Sequence, residues 1–215
     1  MTQLTLDISM SLDGFVAGPN VTLENPLGEG GERLHDWITG LAAWREPHGL
    51  EGGDTGPDND LFEESFASIS AFIMGRKMFS GGEGPWESDP NADGWWGDDP
   101  PFRSPVFVLT RHAREPEAKE NGTTYTFVTD GIESALEQAK TAARDGNVGL
   151  AGGASVAQQY LRAGLVDTMN IHVAPLLLGG GTPLFEVSGG EPISLTPIRA
   201  IHSPAVTHLT YARGR

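Results

Sequence analysis

Three segments of this sequence place residues that bind anions at the ends of predicted strands. The first is Gly152-Gly153-Ala154-Ser155, which follows the apolar run 148–151 and precedes a helical pattern. Glycines let a backbone come close to a phosphate, and a helix N-terminus adds unpaired N–H groups and a partial positive charge. The same residues also suit a plain strand-to-helix turn. They lack the G-x-G-x-x-G spacing of the dinucleotide fingerprint.

The other two segments end predicted strands with cations. Gly75-Arg76-Lys77 follows the apolar run 71–74, and Thr110-Arg111-His112 closes the predicted strand 105–110. In open α/β sheets, ligands bind at the carboxyl ends of the strands. Each segment alone is typical of a solvated surface charge. Three of them in one chain that has only 14 lysines and arginines favour an anionic ligand.

Composition excludes several other kinds of chemistry. The chain has 215 residues and no cysteine, which excludes a disulfide framework, thiol catalysis and cysteine-ligated metal. Its net charge of -15 opposes binding to nucleic acid or to an anionic membrane. We find no signal peptide at the N-terminus and no apolar run long enough to cross a membrane. We therefore expect a soluble cytoplasmic protein with no metal and no nucleic-acid or membrane partner.

The hydrophobic periodicity predicts an α/β fold with a mostly parallel central sheet and antiparallel C-terminal strands. We expect one domain over residues 1–215. Asp130 is a candidate N-cap for the helix over 132–144. The predicted strands are 4–11, 71–74, 105–110, 124–128, 148–151, 168–178, 193–201 and 206–213, and the predicted helices are 33–45, 61–69, 132–144 and 155–163.

Residues 80–104 form a long segment of Gly, Pro, Asp and Trp without periodicity. Loops of that length are uncommon in compact domains and are usually functional or mobile. Three tryptophans within it, Trp86, Trp95 and Trp96, fit an aromatic lid, a dimer contact or an anchor for the loop. We predict a lid over 80–104 and leave the role of the tryptophans open.

Asn170 and His172 are the candidate polar residues of a substrate pocket. They lie two apart on a predicted strand, so they share the face opposite Met169, Ile171 and Val173. A histidine is a natural proton relay near neutral pH. Hydrogen bonding to a neighbouring loop is an equally good explanation of the pair.

Several motifs, taken together and in order, resemble a known family. Each motif is weakly specific alone, but their occurrence in this order over about residues 3–212 is strongly specific. The sequence resembles the reductase domain of bifunctional riboflavin-biosynthesis proteins (the RibD C-terminal domain) and stand-alone bacterial relatives with a three-layer dihydrofolate-reductase-like fold. The motifs are Ser9-Met10-Ser11-Leu12-Asp13-Gly14-Phe15-Val16-Ala17-Gly18, Met74-Gly75-Arg76-Lys77, Val108-Leu109-Thr110-Arg111, Gly152-Gly153-Ala154, and Leu165-Val166-Asp167 with Pro175-Leu176-Leu177-Leu178-Gly179-Gly180-Gly181.

The resemblance implies NADPH as the cofactor and a homodimer as the assembly. It implies that the segment 13–17 flanks the nicotinamide, that Arg111 lies beside the 2′-phosphate, and that the glycines of 152–153 lie at the pyrophosphate. Arginine suits phosphate because its planar fork donates two parallel hydrogen bonds. The cofactor-binding candidates are Ala17, Gly75, Arg76, Lys77, Thr110, Arg111, His112, Gly152, Gly153, Ala154, Ser155 and Val156, and the substrate-pocket candidates are Asp13, Phe15, Phe62, Phe66, Asn170 and His172.

The sequence also departs from its relatives. Dihydrofolate reductases carry a pterin-anchoring carboxylate on the helix before the Gly-Arg motif, whereas Asp60 here is out of register by one residue. The zinc deaminase motifs of the bifunctional proteins are absent. We therefore predict an NADPH-dependent oxidoreductase that resembles 5-amino-6-(5-phosphoribosylamino)uracil reductase of riboflavin biosynthesis or dihydrofolate reductase, with Asp13, Asp60 and His172 as catalytic candidates. The alternative is an NADP(H)-binding sensor without turnover.

Overall fold

The computed structural model describes residues 2–186 and 192–214. The strands in these residues are β1 (Leu4–Ser11), β2 (Phe15–Ala17), β3 (Ile69–Gly75), β4 (Pro105–Leu109), β5 (Glu117–Ala118), β6 (Thr124–Val128), β7 (Asn147–Gly152), β8 (Thr168–Ala174), β9 (Thr182–Pro183), β10 (Leu195–His202) and β11 (Thr207–Arg213). The helices are α1 (Asp36–Thr39), α2 (Ala42–Arg45), α3 (Pro57–Ala67), α4 (Arg76–Ser80), α5 (Ile132–Ala143) and α6 (Ala154–Arg162), with 3-10 turns at Gly31–His35, Glu46–His48 and Trp86–Ser88.

The chain divides into two compact units. The first unit contains the residues up to Leu6 and Ile69–Val166, and the second contains Asp7–Ser68 and the described residues from 167 onward. The strand β1 contributes to both, because the division falls between Leu6 and Asp7. The prediction of one domain over 1–215 stays a prediction.

In the first unit the strands follow the order β1-β7-β3-β4-β6-β5. All these pairs are parallel except β5 with β6. Parallel strands are buried on both faces and read as continuous apolar runs, and β3 and β4 have that character. The core of this unit packs aromatic and aliphatic side chains from these strands and α4: Phe72, Met74, Phe79, Val106, Val108, Tyr125 and Phe127.

In the second unit the order is β10-β11-β8-β1, and β8, β11 and β10 pair antiparallel. The C-terminal strand β10 lies at the end of this order and its side chains are exposed at nearly every position. A second, two-stranded sheet joins β2 to β9. The predicted α/β class, with a mostly parallel sheet and antiparallel C-terminal strands, is confirmed.

Three local predictions were wrong. The helix over 33–45 is broken into a 3-10 turn, α1 and α2, because Leu41 is extended between the two short helices. Asp130 does not cap α5, since the N-cap is Gly131 at φ 100° with no side-chain bond. The strand predicted over 168–178 ends at Ala174, where Pro175 follows and lacks the N–H that a strand ladder needs.

Candidate functional site

The three strand ends singled out in the sequence are neighbours in the first unit. Gly75 at the end of β3 pairs with Leu109 at the end of β4, and Met74 pairs with Gly152 at the end of β7. Because the three strands are parallel, their carboxyl ends meet at one edge of the sheet. The structure thus brings the segments 75–77, 110–112 and 152–156 together.

The segment Gly152–Val156, which we call the glycine loop, carries β7 into α6. Gly152 has φ 126°, a backbone conformation that side chains other than hydrogen rarely adopt. A Cβ atom added at Gly153 would meet no atom within 4 Å, so this glycine borders open space. No side chain of the described residues caps α6, and the Val156 amide donates to the Gly153 carbonyl at 3.0 Å, so the amides of Ala154 and Ser155 are the ones that remain for a ligand or water.

Gly75 fits tightly against the glycine loop. A Cβ atom at Gly75 would lie 2.8 Å from Cγ2 of Val156, which is closer than real Cβ contacts. A side chain at the end of β3 would therefore force Val156 to shift. This contact explains Gly75 by packing, and it leaves the predicted phosphate contact of Gly75 as a prediction.

The two cations that follow Gly75 have different environments. Arg76 is buried, and its guanidinium lies 2.5 Å from Oδ2 of Asp89, bonds the Ser80 hydroxyl and stacks 3.2 Å from the centre of the Trp86 ring. Lys77 is 65% exposed and pairs with Glu83 at 2.8 Å. Arg76 is thus committed to partners in its own unit, whereas Lys77 extends into solvent.

Arg111 is an exposed cation at the end of β4. Its neighbours are held by local hydrogen bonds: the His112 amide donates to Oγ1 of Thr110 at 3.1 Å, and the His112 carbonyl accepts from Trp86 Nε1 at 2.8 Å. Arg111 therefore projects from a braced turn. Among the cationic candidates, it combines exposure with a fixed backbone.

The segment 80–104 is tied to the first unit at several points. Trp86 packs on the buried cluster, Arg114 bonds Ala92 and Asp93, and the Trp96 and Phe102 ring centres are 5.1 Å apart. Of the three roles considered for the tryptophans, Trp86 thus has the anchoring one. The lid stays a prediction.

In the second unit, Asp13 braces a turn. Its carboxylate accepts from the Ser11 hydroxyl at 2.6 Å and from the amides of Leu178 and Gly179 at 3.1 and 2.7 Å. The Ser11 hydrogen bond is the main reason that the pKa of Asp13 is below its ordinary value. A carboxyl that stays ionised is a poor proton donor, which argues against Asp13 as a general acid.

Phe15 and Ala17 lie on β2, beside β9. The Ala17 carbonyl packs against Gly181, where a Cβ atom would come within 2.1 Å of it. Both residues are half-buried. Their predicted roles, Phe15 in the substrate pocket and Ala17 at the cofactor, stay predictions.

Asn170 and His172 share a face of β8, as predicted, and both bond Asp7 of β1. His172 Nε2 lies 2.8 Å from Asp7 Oδ1, and Asn170 Nδ2 donates to Asp7 Oδ2 at 3.1 Å. Their partners are therefore strand residues, not a neighbouring loop. Thr210 donates to Asn170 Oδ1 at 3.1 Å and fixes the orientation of that amide.

The hydrogen bonds continue from His172 into a buried series. His172 Nδ1 lies 2.7 Å from His208 Nδ1, and His208 Nε2 lies 3.1 Å from Oδ1 of Asp58 on α3. We call Asp7, His172, His208 and Asp58 the acid–histidine chain. The two histidines are 3% and 2% exposed, whereas the Asp7 side chain is 38% exposed and that of Asp58 is 15%.

Trp37 covers the two histidines. Its ring centre lies 4.7 Å from that of His172 and 4.9 Å from that of His208, and its Nε1 donates to Ser9 at 3.0 Å. Burial lowers the pKa of His208, and the charge of His172 lowers it further, against the opposing effect of Asp58. Burial would raise the pKa of Asp7, but His172 and the hydrogen bonds to Asp7 outweigh it, so this pKa is lowered.

The helix α3 offers a different carboxylate from the one expected. Asp60 is exposed on α3, while Asp58 in the first turn reaches His208. Phe62 packs on the buried cluster around Trp37, and Phe66 is 47% exposed with its ring 4.6 Å from that of Phe62. Asp58 is therefore the carboxylate of α3 that contacts a buried histidine. Among the described residues, Asp60 has no buried partner that would support its predicted catalytic role.

Comparison with known proteins decides the family. A model of the RibD C-terminal domain matches residues 2–207. The chain belongs to the RibD C-terminal domain family. This RibD C-terminal domain is 27% identical over 187 residues to the uncharacterized protein YyaP of Bacillus subtilis strain 168, which covers 85% of this chain and 80% of YyaP.

Solved structures show the same fold for this RibD C-terminal domain. A candidate riboflavin biosynthesis protein of Shewanella sp. PV-4 is 22% identical, covers all of both chains and has a TM-score of 0.64. Dihydrofolate reductase of Enterococcus faecalis, solved with NADP(H), is 15% identical, with 99% of this chain and 97% of that one covered and a TM-score of 0.50. The predicted dihydrofolate-reductase-like fold and family are confirmed.

Two further properties of this RibD C-terminal domain concern the described residues. No helix among them is long and apolar enough to cross a membrane. No three of their His, Asp or Glu side chains converge in a group that could hold a metal ion.

Sequence reasoning missed Asp7, Asp58 and His208. One signal was present: β8 carries Asn170 and His172 two apart, and β11 carries His208 and Thr210 two apart. Antiparallel pairing of two such strands places the polar residues side by side on one face. The predicted pairing of the C-terminal strands did not extend to β8, so the match was not seen.

Proposed function

We propose that this chain is an NADPH-dependent reductase that transfers hydride to a small heterocyclic substrate of the pyrimidine or pterin type. Membership of the RibD C-terminal domain family and the dihydrofolate-reductase-like fold support an oxidoreductase. The observation that carries the cofactor is the open glycine loop of the first unit, with three parallel strand ends and exposed cations around it.

The residues of the first unit fit a dinucleotide phosphate. Gly153 leaves room that a side chain would fill, and the uncapped α6 offers N–H groups, which suits a pyrophosphate independently of charge. Arg111 and Lys77 supply exposed positive charge for a further phosphate. Arg76 fits this role less well, because its guanidinium already bonds Asp89 and Ser80.

When bound, NADPH supplies a hydride, which is a proton together with two electrons, to an electrophilic carbon of a C=N or C=O bond. The adjacent heteroatom then needs one proton. In the first unit the chain binds and orients the cofactor phosphates through the glycine loop and Arg111.

The first test concerns cofactor choice. NADPH should bind at least about tenfold more tightly than NADH, a difference of roughly 1.4 kcal/mol. Arg111→Ala should weaken NADPH binding by about 1.5–3 kcal/mol, the scale of a charged hydrogen bond, and leave NADH binding nearly unchanged. Arg103→Ala is the matched control, because Arg103 is an exposed cation of the same unit with only a 3.9 Å ion pair to Asp99. Equal losses for NADPH and NADH in fluorescence titrations contradict the assignment of Arg111.

The second test concerns the pyrophosphate. Gly153→Val should weaken NADPH and NADH alike, because the added side chain enters open space next to the helix N-terminus. Gly84→Val is the control, since a Cβ atom there meets only Ser88 Oγ at 3.5 Å. Thermal melts of both variants separate lost binding from lost folding. A folded Gly153→Val protein that binds both cofactors normally contradicts the site.

The third test concerns turnover. Oxidation of NADPH is followed by absorbance with 5-amino-6-(5-phosphoribosylamino)uracil, its dephosphorylated form and dihydrofolate as substrates. Turnover with one of these probes supports the reductase. NADPH binding without turnover on any of them favours the sensor without catalysis.

A further inference from the structure

The turn between β5 and β6 contains Asn121-Gly122, which is the one Asn-Gly pair of the sequence. The backbone nitrogen that follows an asparagine can attack the amide carbon of the asparagine side chain and displace ammonia. A side chain on the following residue hinders this attack, and glycine has none. Asn121 is therefore the asparagine of this chain that is chemically most prone to deamidation.

The reaction balances with water as its co-reactant. The Gly122 nitrogen loses its proton to hydroxide and bonds to Cγ of Asn121, while the bond from Cγ to Nδ2 breaks. The leaving nitrogen takes a proton from solvent and departs as ammonia, which leaves a five-membered succinimide. Water then opens this ring at either of its carbonyls and gives aspartate or isoaspartate. No electrons are exchanged, and the product carries an additional negative charge.

In the folded chain both reacting groups are held by hydrogen bonds of the turn itself. The Gly122 N–H donates to the Lys119 carbonyl at 3.1 Å, and Oδ1 of Asn121 accepts from the Thr123 amide at 3.0 Å. Gly122 is exposed and Asn121 is half-buried, so water reaches the turn. The attack nevertheless requires that these bonds first break.

The other hydrogen bonds of Asn121 reach the end of the segment 80–104. Its Nδ2 donates to Oδ1 of Asp99 at 2.8 Å and to the Pro100 carbonyl at 2.6 Å. Close by, the Arg103 amide donates to Oγ1 of the buried Thr123 at 2.9 Å. The turn and this end of the segment thus hold each other, and both lie in the first unit. The Asn121 amide is released when Asp99 and Pro100 move away.

The deamidated product cannot restore these contacts. In place of the amide, a carboxylate would face the Asp99 carboxylate and the Pro100 carbonyl, and none of the three groups has a proton to donate. The two carboxylates also repel each other. Asp99 pairs with Arg103 at 3.9 Å as well, but this pair is exposed and contributes little. The isoaspartate product further lengthens the backbone by a CH2 group and so displaces the turn.

We propose that Asn121 is a deamidation site that the segment 80–104 protects, and that its modification releases the end of this segment irreversibly. The rate of modification is set by how often residues 98–104 leave the turn, because the chemistry proceeds from the open form. The reaction then removes the contact that closes the segment. The modification needs neither cofactor nor substrate, so it is independent of the proposed reductase function.

The protection is measured by mass spectrometry of the full chain after incubation at mildly alkaline pH. Trypsin releases residues 120–140 as one peptide, and Asn121 is the asparagine that it contains. We expect this peptide to convert to the aspartate and isoaspartate forms in the folded wild-type protein, and to convert faster in urea. The peptides with the other asparagines should stay unmodified over the same time in the folded protein. Equal rates in the folded and the unfolded protein overturn the protection.

Asp99→Ala tests whether the segment provides that protection. The variant removes one acceptor of the Asn121 amide, and it should speed deamidation of the folded protein by about fivefold, the factor that one net hydrogen bond contributes. Asp98→Ala is the matched control, because it removes the same charge from the neighbouring residue, which is fully exposed and has Oδ1 3.7 Å from Nζ of Lys119. Both variants should deamidate at the wild-type rate in urea. A folded-state rate that Asp99→Ala leaves unchanged, or that Asp98→Ala raises equally, overturns the proposal.

The release is tested with Asn121→Asp, which carries the product charge from the start. Limited proteolysis should cut residues 80–104 of this variant at least about fivefold faster than in the wild-type protein, by the same hydrogen-bond factor. Asn20→Asp is the matched control, because Asn20 also donates to an acidic residue, Glu29 at 2.9 Å, but lies in the second unit. It adds the same charge and should leave cleavage of the segment unchanged.

Thermal melts show whether each variant is folded. If Asn121→Asp does not fold, the deamidated wild-type protein is separated from the unmodified protein by anion exchange and cleaved in its place. A folded Asn121→Asp protein, or a folded deamidated protein, that is cut at the wild-type rate overturns the release of the segment.

Discussion

The ion pair between Arg76 and Asp89 should dominate the stability of the segment 80–104. The two side chains are 7% and 1% exposed and lie 2.5 Å apart, and the Asp89 carboxylate also accepts from the Ser80 hydroxyl at 2.7 Å. Removing one partner of a buried pair leaves an uncompensated charge and costs about 3–5 kcal/mol. We expect the low end, about 3 kcal/mol for Asp89→Ala, because the loop can open and admit water to the guanidinium.

A second ion pair of the same region provides the matched control. Lys77 and Glu83 are 65% and 72% exposed, so Glu83→Ala should cost well under about 1 kcal/mol. Urea unfolding gives the free energy of unfolding of wild type, Asp89→Ala, Arg76→Ala and the double variant. The double variant should be less destabilised than the sum of the two single variants, because the unpaired charge is then absent.

Acid should reproduce the effect of Asp89→Ala. Burial would raise the pKa of Asp89, but hydrogen bonds from Ser80 and Asn91 and the charge of Arg76 outweigh it and lower the pKa. A carboxyl with a lowered pKa stabilises the folded state above its ordinary pKa of 3.8 and loses that contribution as the pH falls below this value. Equal destabilisation by Asp89→Ala and Glu83→Ala, or no difference in acid sensitivity between Asp89→Ala and wild type, would refute this reasoning.

Three further predictions follow from other features. Residues 80–104 should be the first site of limited proteolysis, and cleavage there should slow when NADPH is present. The Asp89→Ala variant should be cut faster than the Glu83→Ala variant. Cleavage that starts elsewhere and does not respond to ligand contradicts the lid hypothesis. We propose a homodimer, because Leu177, Leu195 and Ile198 are 70%, 41% and 61% exposed, so light scattering should give twice the 22.9 kDa of one chain, and Ile198→Lys should lower that mass. The pKa of His208 in the folded state is below its ordinary 6.5, so the free energy of unfolding should fall as the pH drops below 6.5, by at most about 1.4 kcal/mol per pH unit. The variant His208→Gln should remove that slope. A wild-type free energy of unfolding that does not change with pH in this range would contradict the prediction.

Local patterns in the sequence were enough to predict the strand ends that meet at one edge of the sheet in the first unit. Apolar runs that end in Gly75 and in Gly152 define strand ends by themselves, and parallel pairing brings such ends to one edge. The position of Arg111 just after β4 was also predictable from local pattern alone, and its contact with a phosphate stays a prediction. The state of Arg76 was not predictable, because Asp89 and Trp86 lie in a segment without periodicity.

The acid–histidine chain depends on contacts that are far apart in sequence. Asp7 and His172 are separated by 165 residues, and Asp58 and His208 by 150. Neither composition nor spacing selects such partners before the strand order is known. Asp60 illustrates the difficulty, since two carboxylates on the first turn of α3 look alike in sequence and only one of them points to a histidine.

The exposed edge strand β10 sets a limit on the solution conditions that the isolated protein tolerates. An edge strand presents unpaired backbone groups that can pair with another chain, and β10 adds Leu195 and Ile198 to them. At neutral pH the charge of -15 keeps such edges apart by repulsion. Near the isoelectric point of about 4.6 that repulsion vanishes, and turbidity should then rise with protein concentration before the fold itself is lost. Purification and crystallisation are therefore best carried out well above this pH. Because salt screens the same repulsion, added salt should raise the lowest pH at which the protein stays in solution.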